Sequence, residues 1–378
     1  MGYHDCPCLV GMLFFCNSLI AVITYIGSEK QRRDTEVFTA WQTITNAQGQ
    51  PGSGGRIKAL EFLNASPRNN EYGYSGANWR RRAICLWICV WESESLEGID
   101  LSTKTVHTSE ADLQEPPPDG TMLNNDTRRV FLRGIHLPDA SLVAANLTDT
   151  NLDGANLTAA VLVATNLTAA NLASAKLAKA DLTSANLTAA NLISANLISA
   201  NLTAANLASA NLWVADLASA NLKFANLAGA DLKSADFTDA NLDSTNLEGA
   251  DLGVEKLSLF QGRNNCQGAK LLSTNLSHSN LSSAILECAR LENAILNDAI
   301  LLATDLRTTK GLTQEQLEGE HPPFICNTPL PEHIEIQGDH DRDCDKLAAI
   351  LYRRYPGRFE SPEKAENFVR EQQQKTWD

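Results

Sequence analysis

Leucine recurs at every fifth position from Leu137 to Leu252. Of the 24 positions in that series, 23 are leucine and Phe237 is the exception. The residue two before each is small: 20 of 24 are alanine, and Ile135, Thr150, Thr165 and Thr245 fill the rest. Between the two stands Asn 15 times and Asp five times. The stretch "ANLTAANLISANLISANLTAANLASANL", residues 185–212, shows the pattern without a slip. A second series, out of phase with the first, runs through Leu271, Leu276, Leu281, Leu286, Leu291, Leu296, Leu301 and Leu306.

Neither regular element accommodates this period. Five residues of α-helix rotate by about 140°, so the leucines would spiral around the rod instead of forming a stripe. In a plain strand an odd period throws alternate leucines to opposite faces. The conflict disappears if the chain turns a corner once per repeat. The small residue and the leucine then share the inward face of a short extended piece, and the corner restores the orientation for the next. The result is a filled coil whose stacked turns pair as parallel strands, about 4.8 Å apart. Leu187, Leu192, Leu197, Leu202, Leu207, Leu212 and Phe237 are expected in its core. A bulkier residue at an alternate inward place such as Ala185 would overpack it. The outward Asn side chains are expected to stack in amide ladders. Periodicity alone does not say how many repeats close one turn, and no twenty-residue superperiod stands out.

The tandem A(D/N)LXX pattern resembles the pentapeptide-repeat family and covers both leucine series. The resemblance implies a mainly β fold, a right-handed quadrilateral parallel β-helix with four repeats per coil. Short helical regions are expected to flank and cap it at both ends. The flanks are similar in arrangement to those of cyanobacterial members.

The remaining pattern divides the chain. Residues 1–27 are a candidate transmembrane anchor: Leu9 to Ile26 carry no charge and just reach the roughly 18 residues needed to cross a bilayer. A buried helix and a cleaved signal are the other readings, although no basic start or small-x-small site is present. Lys30, Arg32 and Arg33 follow the segment, which places the later residues on the cytoplasmic side. Residues 28–95 form a partly helical flank, with Val37, Phe38, Trp41 and Ile44 at helical spacing. Within it "NWRRRAICLWICVW" reads as a cover for the open end of the coil, with a membrane-surface contact as the alternative. Residues 96–134 make an irregular entry coil, with weak repeat fits at Leu101, Val106, Leu132 and Leu137, split by the loop "QEPPPDG". Residues 135–252 are the first run of coil and 269–310 the second. Between them lie residues 253–268, where Glu255 and Lys256 do not suit the inward pattern, so a surface loop is expected. Residues 311–378 form a helical C-terminal cap. Thr313 and Gln316 make a capping-box pair, and Ser361 with Pro362 opens the last helix.

Composition adds limits. The net charge of −14, from 45 acids and 31 bases, argues against general affinity for nucleic acid. Nine cysteines are scattered, and Cys6/Cys8, Cys85/Cys89 and Cys326/Cys344 are the nearest couples. Without zinc spacing, free thiols in a reducing compartment are expected. "DHDRDCDKLAAI", residues 339–350, starts like a calcium loop but has Cys344 for the turn glycine and Ile350 for the bidentate glutamate. Its acids suit a helix N-terminus better. His333 and His340 have no evident zinc partners, and no phosphate loop or nucleophile elbow is present. No catalytic residue, metal or cofactor is therefore assigned, and the chain reads as a non-enzyme. The sequons at Asn146, Asn156 and Asn201 are attributed to the ladders, with Thr placed on exposed strand.

One outward irregularity suggests a partner site. With twenty residues per coil, Ile193 lies above Trp213 and Lys233 below it, with Val214 alongside. This patch could dock an unidentified protein or a second copy of the chain. The functional reading is a non-catalytic scaffold or interaction module, membrane-anchored through residues 9–26 with its repeats on the cytoplasmic side, or else wholly cytoplasmic. The alternative is a DNA-mimicking, gyrase-binding rod, as the family includes. Against it, Leu182 to Ala215 contain no charge, and the acids gather around Asp231, Asp236, Asp239, Asp243, Glu248 and Asp251.

Overall fold

The computed structural model describes residues 31–32, 34–46, 58–60, 63, 96, 99, 132–254, 267–336 and 341–377. The chain divides into two compact units, Met1–Ala47 with Gly54–Glu94, and Gln48–Ser53 with Ser95–Asp378.

In the first unit, helix α1 is described over residues 31–32 and 34–46. Thr35, Thr39, Thr43 and Thr45 each donate a hydroxyl to the carbonyl four residues back. Ala40 and Ile44 are buried, flanked by half-buried Val37 and Trp41, at the spacing of one helical face. Phe38 falls off that stripe and is 62% exposed. Among the described residues no helix is long and apolar enough to cross a membrane. The proposed anchor, residues 9–26, lies outside the described residues, as do the arginine-rich segment 78–91, Leu101, Val106 and the proline loop.

The second unit is the right-handed quadrilateral β-helix. One repeat explains it. The N–H of Leu187 donates to the carbonyl of Asn206 at 2.7 Å, and the N–H of Asn206 donates to Ala185 at 2.9 Å. Asn186 bridges Asn206 in parallel, and the same step of twenty residues recurs along the first run. Four repeats therefore close each coil. At the corner, the N–H of Ala190 donates to Leu187 at 3.0 Å, and Ala189, the third residue of the turn, has φ 55°. Positive φ at the third residue is the type II turn condition, met here mostly by Ser and Ala where glycine would be unstrained. The side chains of Leu187, Leu192, Leu197, Leu202, Leu207, Leu212 and Phe237 are fully buried.

The asparagines use both halves of the amide. Asn191 Oδ1 accepts the N–H of Ile193 at 3.2 Å, while its Nδ2 donates 3.0 Å to Asn171 Oδ1 in the preceding coil. Further rungs run Asn246 to Asn226 and Asn275 to Asn241. The Thr of "NLT" stands at the corner and not on strand, which corrects the sequence reading. Thr148 Oγ1 lies 2.7 Å from Asn146 Oδ1 because its turn folds it back over that side chain. Where Thr replaces inward alanine, its hydroxyl is satisfied from within: Thr165 donates to Leu142 O at 2.7 Å and Thr245 to Leu222 O at 2.8 Å.

Above the first full coil, Leu96 and Ile99 take the inward places of a corner. Leu96 N–H bonds Ser141 O at 3.0 Å, and Asn146 N–H bonds Ile99 O at 2.7 Å. Below, Asp236 pairs Lys270 instead of a residue twenty on. The extra residues leave at one corner, between Leu252 and Ala269; Glu255 and Lys256 lie in the part outside the described residues.

The second run ends in strand β1, Ile300–Leu302. Helix α2, Gln314–Glu318, closes the last coil. Thr313 caps it in a full capping box, and Gln316 Nε2 reaches the carbonyls of Leu291 at 2.9 Å and Ala294 at 2.7 Å. Strand β2, Phe324–Cys326, then adds to β1 in parallel. Helices α3, Cys344–Arg354, and α4, Pro362–Gln373, pack on this pair of strands. Leu347, Leu351, Phe359, Ala365 and Val369 bury Ile300 and Leu302. Ser361 caps α4 with Pro362 in its first turn. The same region grips the flank of the rod: Arg358, in the turn between α3 and α4, makes a two-pronged pair with Glu248, and Ser283 donates 2.7 Å to Gln372 of α4.

Cysteine chemistry differs from the expectation of free thiols. Cys326 and Cys344 form a disulfide with Cα atoms 4.9 Å apart. Cys288 is disulfide-bonded as well. The spacing of eighteen residues gives no hint of this, because the approach is made by β2 docking beside the start of α3.

Candidate functional site

The twenty-residue coil places Ala173, Ile193, Trp213 and Lys233 in one vertical row at a single corner. Ser194 N–H bonds Trp213 O at 2.9 Å, and Val214 N–H bonds Lys233 O at 3.0 Å, so the three predicted levels are adjacent. Ile193, Trp213 and Lys233 are half-buried, and Val214 is 46% exposed. Val214 holds φ 57°, a left-handed conformation that a β-branched residue disfavours. In this row Ser174, Ser194 and Ser234 take the same place. The loop also departs from this corner, since Ser234 N–H points to Gly253 O at 3.4 Å.

Lys233 bounds the patch and is committed elsewhere. Its Nζ bridges Asp231 at 2.9 Å and Asp251 at 3.2 Å, two carboxylates stacked in successive coils. Burial alone would lower its pKa, but these two acids raise it above the ordinary lysine value. Stacking of the coils thus neutralises much of the acidic cluster seen in the sequence. Asp236 lies 2.6 Å from Lys270, Asp243 lies 2.8 Å from Lys223 and 2.9 Å from His278, and Glu248 meets Arg358. For Asp236 and Asp243 burial acts upward, yet the bonds to these partners hold both carboxyls below the usual range. The Asp236 carboxyl is helped further by the hydroxyl and N–H of Thr238.

Sequence reasoning missed two features. Phe224 stands 57% exposed at the opposite corner with φ 61°, and Lys223 Nζ lies 4.9 Å from its ring centre. It occupies the same turn position as Val214, so assigning that position in each repeat would have found both. The second is the group formed by Cys326, Asp341 and Cys344, whose donor atoms all lie within 4.8 Å of one another. Asp343, expected to serve the N-terminus of α3 through the dipole, makes no side-chain cap bond there. Its carboxylate instead accepts the Ile325 N–H at 3.2 Å and pairs with Arg342 and Lys346, which ties α3 to β2.

The family comparison agrees with this geometry. The profile described as pentapeptide repeats matches in 8 copies, over residues 128–163, 165–203, 185–223, 215–253 and 265–310. Those residues are pentapeptide repeats. No curated protein matches it. Among solved structures it is similar to HetL, a pentapeptide repeat protein involved in heterocyst differentiation regulation from the cyanobacterium Nostoc sp. strain PCC 7120. That likeness has 29% identity and a TM-score of 0.31, over 54% of this chain and 90% of that one. QnrB1, a plasmid-mediated fluoroquinolone resistance protein, shares 12% identity at a TM-score of 0.34, over 53% of this chain and 85% of that one. A pentapeptide repeat protein from the Arabidopsis thaliana thylakoid lumen shares 28% at a TM-score of 0.20, over 29% of this chain and 66% of that one. The pentapeptide-repeat fold is of a protein-interaction type, and these likenesses carry nothing more specific to this chain.

Proposed function

We propose that this chain is a non-catalytic interaction module that receives a protein partner at the Trp213 corner. The observation that carries the reading is the pairing of an outward tryptophan with a strained, exposed valine in the charge-free part of the rod. Left-handed φ is the corner conformation of nearly every repeat, but among the described residues Val214 is the only β-branched residue that adopts it, at a cost of about 1–2 kcal/mol. An apolar ledge formed by Ile193, Trp213 and Val214 suits an apolar segment of a partner, with the charged neighbourhood of Lys233 at its lower edge. Membrane attachment through residues 9–26, with the repeats on the cytoplasmic side, belongs to the same proposal and rests on the composition of that segment.

The gyrase-binding alternative requires carboxylates free to imitate phosphates. Asp231, Asp236, Asp243, Glu248 and Asp251 are instead paired with lysine, histidine or arginine. A joint experiment separates the readings. Cells producing the whole chain are fractionated, and partners cross-linked to it are compared with those of Trp213→Ser. Loss of the principal cross-link in the variant supports the corner. An unchanged cross-link pattern removes it, and inhibition of gyrase supercoiling by the purified chain would favour the alternative. Recovery of the chain from the soluble fraction would remove the anchor.

A further inference from the structure

We propose that Cys326, Asp341 and Cys344 form a thiol-gated binding site for a thiophilic divalent cation of the zinc or cadmium type, closed as a disulfide and open when reduced. The three donors converge from two pieces of chain: Cys326 is the last residue of β2, and Asp341 and Cys344 lie just before and at the start of α3. Cys326 is fully buried and Cys344 is half-buried. Asp341 Oδ1 lies 3.4 Å from Cys344 Sγ and also accepts the N–H of Asn327 at 2.8 Å, which orients the carboxylate toward the sulfurs.

What makes this a site, and not only a crosslink, is how little of its frame depends on the S–S bond. Asn327 Nδ2 donates to Gln372 O at 2.7 Å and Lys375 O at 2.9 Å, and Trp377 Nε1 donates to Asn327 Oδ1 at 2.8 Å. Asp343 N–H bonds Ile325 O at 2.9 Å, and Arg342 Nη2 reaches Pro323 O at 2.6 Å. The apolar cluster around Leu347 and Leu351 holds α3 on β2 independently. When the bond opens, both thiols and the carboxylate therefore stay together. Two sulfurs bound at about 2.3 Å to one tetrahedral ion sit roughly 3.8 Å apart, a separation that rotation of the half-buried Cys344 side chain supplies. Two thiolates and one carboxylate make three protein ligands, and water completes the fourth position.

The opening step balances with a dithiol reductant. Its thiolate attacks the more accessible Cys344 sulfur, the S–S bond breaks, and Cys326 leaves as a thiolate that takes a proton. The second thiol of the reductant then displaces Cys344 and gives up its own proton, and the reductant departs as its disulfide. Two electrons have passed to the protein. Cation binding subsequently releases the thiol protons.

Cadmium titration of the whole chain tests this. The protein is reduced with a phosphine, freed of reductant under nitrogen, and read by thiolate-to-cadmium absorbance. Reduced wild type is expected to bind one more cadmium ion per chain than Cys326→Ser/Cys344→Ser, which subtracts the other cysteines. The oxidised chain should lack that ion, and Asp341→Asn should weaken it at least about tenfold. Equal stoichiometry in wild type and the double variant overturns the proposal. If the double variant does not fold, Asp341→Asn decides: unchanged cadmium affinity overturns the proposal, and a weakened one sustains it.

Discussion

The N–H of Ala269 donates to the carbonyl of Leu252 at 2.8 Å, across sixteen intervening residues. It is the same bond that Ala190 makes to Leu187 across two. The corner closes as if nothing had been inserted, and the coil resumes in register beneath it. The insertion shifts the leucine frame along the sequence without shifting it in space. Replacing residues 253–268 by a two-residue Ser-Gly corner is therefore expected to leave the β-helix intact. Far-ultraviolet circular dichroism and thermal melting should match wild type within a few degrees; collapse of the second run would show that the loop holds it up.

At Val214, strain can be relieved without touching the core. Glycine accepts φ 57° freely, so Val214→Gly should stabilise the rod by roughly 1 kcal/mol. In contrast, Leu202→Ala removes a fully buried side chain and should cost about 2–5 kcal/mol. Denaturant melts of the two variants check both signs. A destabilised Val214→Gly would mean that the valine side chain contributes packing that outweighs its backbone cost.

The C-terminal closure hinges on Gln316. Its amide joins two coil carbonyls, and its Oε1 accepts the N–H of Thr313 at 2.8 Å. Gln316→Ala should cost about 1–3 kcal/mol, since carbonyls on the last coil lose their donors. Deleting residues 311–378 goes further and bares Ile300 and Leu302, so an aggregation-prone rod is expected. Light scattering of the truncated chain reads this outcome; a soluble monomer with unchanged melting would argue against closure by these helices.

Acid should loosen the lower coils. Asp236, Asp243 and Asp343 have carboxyl pKa values below the ordinary range despite burial, because of Lys270, of Lys223 and His278, and of Arg342 respectively. A lowered folded-state value means that the unfolded chain binds more protons in the titration range. Their stabilisation is therefore present above the unfolded carboxylate pKa of about 4 and lost as pH falls through the folded values. Melting temperature measured from pH 6 to pH 2 should decline below about pH 4, and Lys270→Met should flatten the part contributed by Asp236. A melting temperature independent of pH over that range would contradict these assignments.

The inward pattern is readable because leucine and alanine repeat on all four faces alike. That same uniformity hides the coil length: Leu187, Leu192, Leu197 and Leu202 occupy successive faces yet look identical in sequence. The caps at Thr313 and Ser361 are readable because capping is local. Ile285, Ile295 and Ile300 are not distinguishable, since each replaces an outward Asn. Only the docking of α3 and α4 decides that Ile300 is buried while Ile285 and Ile295 remain exposed. The pairing of Lys233 across two coils and the meeting of Cys326 with Cys344 likewise depend on stacking, which no local spacing encodes. At the candidate site, Trp213 and its vertical neighbours are legible once four repeats per coil are assumed. The strain at Val214 is not, because it follows from the turn position.

Along this rod, residues twenty apart, and not ten apart, are neighbours. Ser174, Ser184 and Ser194 all stand exposed at turn positions, and cysteine is close to serine in size. Ser174→Cys/Ser194→Cys places two thiols on adjacent coils, about 4.8 Å apart along the stack and within disulfide reach. Ser174→Cys/Ser184→Cys places them at opposite corners. Mild oxidation followed by peptide mass spectrometry should recover the crosslinked pair 174–194 and not 174–184. Recovery of 174–184 with 174–194 absent would contradict the coil described here.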